Sequence, residues 1–332
     1  MKLSQIPRLH LIEQPTPLEE LKRLENYLGR PNIYAKRDDC MPLGLGGNKI
    51  RSLEFWLGAA LEKKANVLVV AGAPVSNQCR LAAAAAAKTG MKLLILHSSE
   101  RPAKYEGNLL LNQLFGAEIH FIGPVDEEER GRIARESCAE LERQGLHPYL
   151  IGDSAAGALG YFMGALELYD QVKARALPIR HVFLPGSMGT TEAGFLMGNA
   201  VLGSPFTVHL PSVEYGRHEL AARISAICEK SIARAGLACT AAQCMDSAVI
   251  YESYLGGGYN VPTQASLEAL RLAASFEGMI LENTYTSKTF ACLIDLARRN
   301  SFPSSEGLCF IHTGGVPALF AQQTFMKELF KF

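Results

Sequence analysis

The chain has no surplus of either charge: 33 Lys and Arg balance 33 Asp and Glu over 332 residues. Without a basic excess or a basic cluster, no nucleic-acid partner is expected. Long apolar runs are missing too. The longest, Leu81 to Ala87, is far too short to cross a bilayer, so no membrane partner is expected either. The opening stretch, Met1-Lys-Leu-Ser-Gln-Ile-Pro7, lacks the extended apolar core of a secretion signal. Cysteine pairs are also wanting. The eight cysteines are scattered with no C-x-x-C, which indicates neither a zinc site nor a redox motif. Several sit in apolar runs, where a free thiol packs as a small hydrophobe, and this points to a reducing, cytoplasmic setting. His218-Glu219 has alanine at 222 where a second histidine would be needed, so no metal is expected.

What is present is an ordinary enzyme-like mixture, 48% hydrophobic and 20% charged. The length supports one large domain or two modest ones. An amphipathic helix is expected from near Leu18, then a strand over 32–36. Short, valine-rich apolar runs predict strands at 67–71, 93–96, 119–122 and 148–151. Helices over 50–63, 76–88, 104–115 and 126–144 alternate with them. A second series has helices at 159–174, 191–201 and 219–235, with strands at 181–184 and 206–210. Residues 249–251 are ambiguous. A helix ending near Gly278 and another over 286–299 precede a strand at 308–312 and a closing helix at 316–329. Such alternation implies parallel sheets covered on both faces, here in two α/β domains with a crevice between them.

The stretch Gly44-Leu-Gly-Gly-Asn-Lys-Ile-Arg51 delivers Lys49 to a helix start through a glycine turn that lets backbone approach a ligand. A lysine there serves either a phosphate or a covalent step. The phosphate-loop pattern fails, because Asn48 precedes the lysine and Ile50 follows it. The dinucleotide fingerprint fails as well, with Lys49 in place of the third glycine. A shielded amine that loses its charge and attacks a carbonyl remains.

Four other stretches accompany it. Ser76-Asn77-Gln78 enters a helix straight after a strand, where exposed amides bind carboxylates or phosphates; Ser76 alone reads equally as a helix cap. Pro185-Gly-Ser-Met-Gly-Thr-Thr-Glu-Ala-Gly194 is a strand end turning into a helix, suited to cradling phosphate. Three glycines precede Tyr259, and Tyr285 stands before Thr286. Thr313 ends the last strand beside two glycines, where a hydroxyl reaches into the crevice. An amine, a phosphate cradle and a hydroxyl for a ring nitrogen match the needs of pyridoxal phosphate.

In the order and spacing of these motifs the chain resembles the D-cysteine desulfhydrase and 1-aminocyclopropane-1-carboxylate (ACC) deaminase family. The resemblance runs from Arg37-Asp-Asp39 through Gly46-Gly-Asn-Lys-Ile-Arg51, Gly157-Ala-Leu-Gly-Tyr161 and Gly258-Tyr-Asn-Val-Pro262 to His312-Thr-Gly-Gly-Val-Pro-Ala318. It implies a tryptophan-synthase-β-like, fold type II enzyme that uses pyridoxal phosphate. It further implies a larger domain of residues 1–52 and 161–332, a smaller inserted one of residues 53–160, and a homodimer. By the same resemblance Lys49 joins the cofactor's aldehyde and Asn77 meets its ring oxygen. Gly186, Ser187, Met188, Gly189 and Thr190 hold its phosphate, and Thr313 meets the pyridine nitrogen. Ser76, Asn77 and Gln78 take the carboxylate of a small amino-acid substrate, flanked by Tyr259, Tyr285 and Thr286. Lys49, Ser76 and the two tyrosines are the expected catalytic groups. ACC deaminases carry glutamate where this chain has Thr286. The implied reaction is therefore α,β-elimination from D-cysteine to pyruvate, sulfide and ammonia, with L-cysteate sulfo-lyase or ACC deaminase as alternatives. A protein that binds the cofactor without turnover is the remoter one.

Overall fold

Pro15 and Pro17 precede a short strand, β1 (Leu18–Glu20), which pairs antiparallel with β2 (Ile33–Arg37) after α1 (Lys22–Leu28). The helix expected from Leu18 thus begins at Lys22, because residues 18–20 are committed to pairing with Lys36, Ala35 and Tyr34. In the computed structural model, which describes residues 3–321, regular alternation follows. It runs α2 (Lys49–Glu62), β3 (Val67–Gly72), α3 (Asn77–Thr89), β4 (Lys92–His97), α4 (Gly107–Leu114), β5 (Glu118–Phe121), α5 (Glu127–Arg143) and β6 (Pro148–Leu150). These four strands form an all-parallel sheet in the order β5-β4-β3-β6. Its residues alternate in direction, as a pleat requires. Leu68 and Val70 pack with α2 and the alanines of α3, whereas Val69, Leu94 and Leu96 pack with Ala134 of α5.

The second series is α6 (Ser154–Ala174), β7 (Ile179–Phe183), α7 (Thr190–Val201), β8 (Thr207–Pro211), α8 (Arg217–Ala235), α9 (Ala241–Asp246) and β9 (Ala248–Tyr251). It closes with α10 (Gln264–Glu277), α11 (Thr286–Arg298), β10 (Gly307–His312) and α12 (Val316–Leu319). The larger sheet has the order β1-β2-β10-β7-β8-β9 and is parallel apart from β1. Every residue of β10 is buried, as expected of a central strand covered on both faces. One face carries α6, α7 and α8, the other α1, α10 and α11.

Three stretches differ from the expected elements or add to them. Helix α6 starts at Ser154, not Leu159, because Asp153 Oδ1 accepts from the amides of Ala155 and Ala156 at 3.1 and 3.3 Å. The ambiguous 249–251 run is strand β9, paired with β8, and the unforeseen α9 before it is held by a Thr240–Gln243 capping box. The closing helix ends at Leu319, and its expected remainder from 322 onward lies outside the described residues. All eight cysteines are free thiols. No helix among the described residues is long and apolar enough to cross a membrane.

A buried ion cluster ties α2 to α6 and to the N-terminal segment. Arg51 donates to both oxygens of Asp38 at 2.8 Å and to Glu167 Oε2 at 2.8 Å. The Tyr161 hydroxyl adds a bond to Asp38 at 2.6 Å, and Lys36 bonds Glu167, Gln171 and the Thr16 carbonyl. The cluster anchors the first turn of α2, two residues beyond Lys49.

Candidate active site

The loop before Lys49 is shaped by backbone that only glycine tolerates. Gly46 has φ +68°, and a Cβ there would fall 2.1 Å from the Asp39 carbonyl oxygen. Gly47, at φ +129°, bridges antiparallel to Gly314, and the Asn48 amide donates to the Thr313 carbonyl at 3.0 Å. The lysine turn is thereby clamped to the exit of β10. Lys49 becomes the first residue of α2 and faces a cavity of about 310 Å³ at the carboxyl ends of β3, β7, β8 and β10. Open α/β sheets bind ligands at such strand ends.

Most of the expected site residues meet there. Lys49, Ser76, Asn77, Gln78, Ser187, Met188, Tyr259, Tyr285 and Thr313 all line the cavity. No hydrogen bond among the described residues holds the Lys49 amine. Burial lowers its pKa, against the opposing pull of the Glu192 and Glu214 carboxylates. Ser76 caps α3, its hydroxyl accepting from the Cys79 amide at 3.3 Å, and it lines the cavity as well, so both readings of it hold. The phenols of Tyr259 and Tyr285 touch at 2.6 Å, and burial raises the pKa of both, so each keeps its proton. Lys288, which the sequence did not single out, donates to the carbonyls of Leu255 and Gly258 at 2.7 Å and fixes the loop that presents Tyr259.

Thr286 is not part of this group. It is fully buried, and its hydroxyl bonds Glu282, whose Oε1 also accepts from the amides of Tyr285 and Thr286 at 2.8 Å. The expectation that Thr286 touches substrate is therefore corrected: it helps to cap α11 behind Tyr285. Gly186, Gly189 and Thr190 belong to the same loop but do not themselves line the cavity.

The cradle differs in chemistry from expectation. The Ser187 and Gly189 amides donate to Glu192 Oε1 at 2.5 and 3.3 Å, and the Ser187 hydroxyl donates to Glu214 Oε2 at 2.6 Å. Both donors of Ser187 are thus held by carboxylates. The amides at the first positions of α7, Thr190 and Thr191, are those a helix start leaves for an anion. Gly189 sits at φ +88° with its would-be Cβ 3.1 Å from Ile227, so a side chain there would strain the backbone. Asn48, Arg130, Thr191, Glu192 and Glu214 also line the cavity. Of these, Asn48, Thr191 and Glu192 fall within the stretches quoted from the sequence, whereas Arg130 and Glu214 belong to none.

The set fits pyridoxal phosphate. An unbonded lysine amine suits its aldehyde, the α7 start its phosphate, and the Thr313 hydroxyl its ring nitrogen. Burial raises both cradle carboxyls, Glu192 and Glu214. As pH rises through those raised values the two groups ionise and place negative charge beside the phosphate. The carboxylates' contribution to cofactor affinity is therefore expected to fall with rising pH. Glu214→Gln should flatten that dependence and tighten binding at alkaline pH by on the order of tenfold. Fluorescence titration of the apoprotein with pyridoxal phosphate measures it; an unchanged pH profile in the variant would contradict the assignment.

Comparison with known proteins agrees with this geometry. The family described as pyridoxal-phosphate dependent enzymes matches residues 9–314. A D-cysteine desulfhydrase of Salmonella choleraesuis is 37% identical over 327 residues, covering 96% of this chain and 97% of that protein. A solved structure of an ACC deaminase homologue superposes with a TM-score of 0.88 at 30% identity, over 98% of this chain and 97% of the other. Threonine deaminase isoform 2 from Solanum lycopersicum has a TM-score of 0.67 at 18% identity, over 96% and 83%, a likeness of fold alone.

Proposed function

The chain belongs to the pyridoxal-phosphate dependent enzymes, and from that premise we propose that it catalyses α,β-elimination on a small amino acid, D-cysteine being the preferred substrate. The observation that carries this reading is the meeting of an unbonded, charge-depressed lysine amine with a proton-bearing tyrosine pair in one cavity. Pyridoxal phosphate, when bound, supplies the electron sink that stabilises a carbanion. Ser76 and Gln78, with the free amides of α3, hold the substrate carboxylate. Lys49 Nζ, whose pKa burial lowers, takes the α-proton, with Ser76 Oγ as the second candidate. The Tyr259–Tyr285 pair, held protonated by burial, is placed to give a proton to the departing sulfide. Thr313 meets the ring nitrogen and Asn77 the ring oxygen.

The reading includes a smaller unit of residues 53–160, which holds all four strands of the parallel sheet, and a larger one of 1–52 with 161–332, which holds the other six. It also includes a cytoplasmic homodimer, which light scattering tests. A second reading, release of sulfite from L-cysteate, is favoured by Arg130, a cavity-lining cation with no salt bridge among the described residues, suited to a sulfonate.

The discriminating experiment measures pyruvate from D-cysteine, L-cysteine, L-cysteate and β-chloro-D-alanine side by side, with 2-oxobutyrate from ACC. D-Cysteine is expected to be fastest. Faster 2-oxobutyrate from ACC would overturn the elimination reading, and faster pyruvate from L-cysteate would replace it with the second. Tyr285→Phe should slow elimination roughly a hundredfold while leaving the cofactor's absorbance in place. A wild-type rate would return Tyr285 to packing.

A further inference from the structure

Behind the cavity wall, α4 presents two buried asparagines one turn apart, Asn108 and Asn112, and each has a side-chain oxygen with no hydrogen-bond partner. A buried, unsatisfied amide oxygen costs stability, so the retention of Asn108 calls for a return elsewhere. Its nitrogen explains the retention. Asn108 Nδ2 lies 2.7 Å from the Val75 carbonyl and 2.9 Å from Asn77 Oδ1. A carbonyl only accepts, so the nitrogen must face Val75, and its second hydrogen then goes to Asn77. The Asn77 oxygen is thereby occupied. Its amide nitrogen has no hydrogen-bond partner among the described residues, and Asn77 lines the cavity. The side chain is 9% exposed, and a Cβ on Gly315 would come 3.0 Å from that nitrogen.

We infer that Asn108 is a positioning residue that locks the orientation of the Asn77 amide, so that Asn77 presents a donor, not an acceptor, to the ring oxygen of the bound cofactor. The inference rests on the reading above, in which Asn77 meets that oxygen. A free asparagine can rotate by half a turn at little cost and would offer either group. Here the direction is passed along a chain of obligatory roles, from the Val75 carbonyl through Asn108 to Asn77. A donor stabilises the anionic form of the ring oxygen. Asn112 serves a separate line: its nitrogen donates to His97 Nε2 at 3.1 Å, and His97 Nδ1 donates to the Gly72 carbonyl at 3.0 Å.

The test is the pH titration of the visible band of the bound cofactor, which reads the ring oxygen's surroundings and not turnover. Asn77→Ala and Asn108→Ala are each expected to raise the midpoint by about one pH unit, a tenfold change in proton affinity. Combined, they should shift it no further than Asn77→Ala alone, because both act through one bond. Asn112→Ala, which removes an equally buried amide from the same helix, should leave the midpoint in place. Asn108→Asp keeps the volume should the alanine variant fail to fold. Its protonated carboxyl can satisfy Val75 but offers Asn77 only an acceptor, so Asn77 turns round and the shift should exceed that of alanine. If Asn77→Ala moved the midpoint while neither Asn108 variant did, or if Asn108→Ala and Asn112→Ala moved it equally, the inference would be overturned alone. An unmoved midpoint in Asn77→Ala would remove the ring-oxygen contact, and the inference with it.

Discussion

Lys49→Ala is expected to abolish the borohydride-reducible bond to pyridoxal phosphate and to lower turnover by at least about 10²–10⁴-fold through loss of the base alone. Among the described residues, neither of the two buried lysines can stand in. Lys36 is tied to Glu167, Gln171 and the Thr16 carbonyl, and Lys288 to two carbonyls of the Tyr259 loop. Both amines would have to abandon satisfied bonds, whereas the Lys49 amine has none to give up. Reduction with borohydride followed by peptide mass analysis gives the answer. A reducible bond surviving in the variant would show that another amine carries the cofactor.

The second large effect falls on stability. Arg51→Ala leaves the buried Asp38 without its guanidinium partner and the half-buried Glu167 with Lys36 alone, and should cost about 3–5 kcal/mol of unfolding free energy. Urea or thermal unfolding of the apoprotein measures it; a loss below ~1 kcal/mol would mean that the cluster is not load-sharing as drawn. The same cluster fixes an acid limit. Although burial pushes the Asp38 carboxyl up, Arg51 with its hydrogen bonds outweighs it and holds the group at about 2, below its ordinary 3.8. A depressed carboxyl contributes stability that is complete above its unfolded value. That contribution, about 2 kcal/mol, is expected to drain away as pH falls from near 4 towards 2.

The alternation of short apolar runs with longer periodic ones made most elements legible, because a buried parallel strand and a covering helix differ in both length and period. Residues 18–20 misled because three residues cannot establish a period, and their strand state comes from pairing with Tyr34 to Lys36 on the far side of α1. The start of α6 was hidden because Ser154, Ala155, Ala156 and Gly157 have no apolar rhythm, while the cap that decides it is the single residue Asp153. In the site, motifs at strand ends survived translation into space because strand ends are where parallel sheets gather their loops. Thr286 failed for a geometric reason. It follows Tyr285 into a helix, where successive side chains point about 100° apart, so a neighbour of a cavity residue faces the core. Glu214, Arg130 and Asn108 belong to no motif. They reach the site from loops and helices whose placement is a property of the whole fold, and nothing in their flanking residues announces it.

The clamp between Gly47 and Gly314 joins parts of the chain about 270 residues apart, and β10, which follows the same path, is the strand that separates β2 from β7. On a ribosome adding roughly 5–20 residues per second, the lysine turn would wait about 13–50 s before its partner strand existed. During that interval β2 has no parallel neighbour on its inner side, and the wall opposite Lys49 is missing. The four-stranded sheet, whose strands all lie between residues 67 and 150, can close long before. Cofactor capture consequently waits for β10, and a nascent polypeptide halted before that strand would leave its lysine amine open to water and to stray aldehydes.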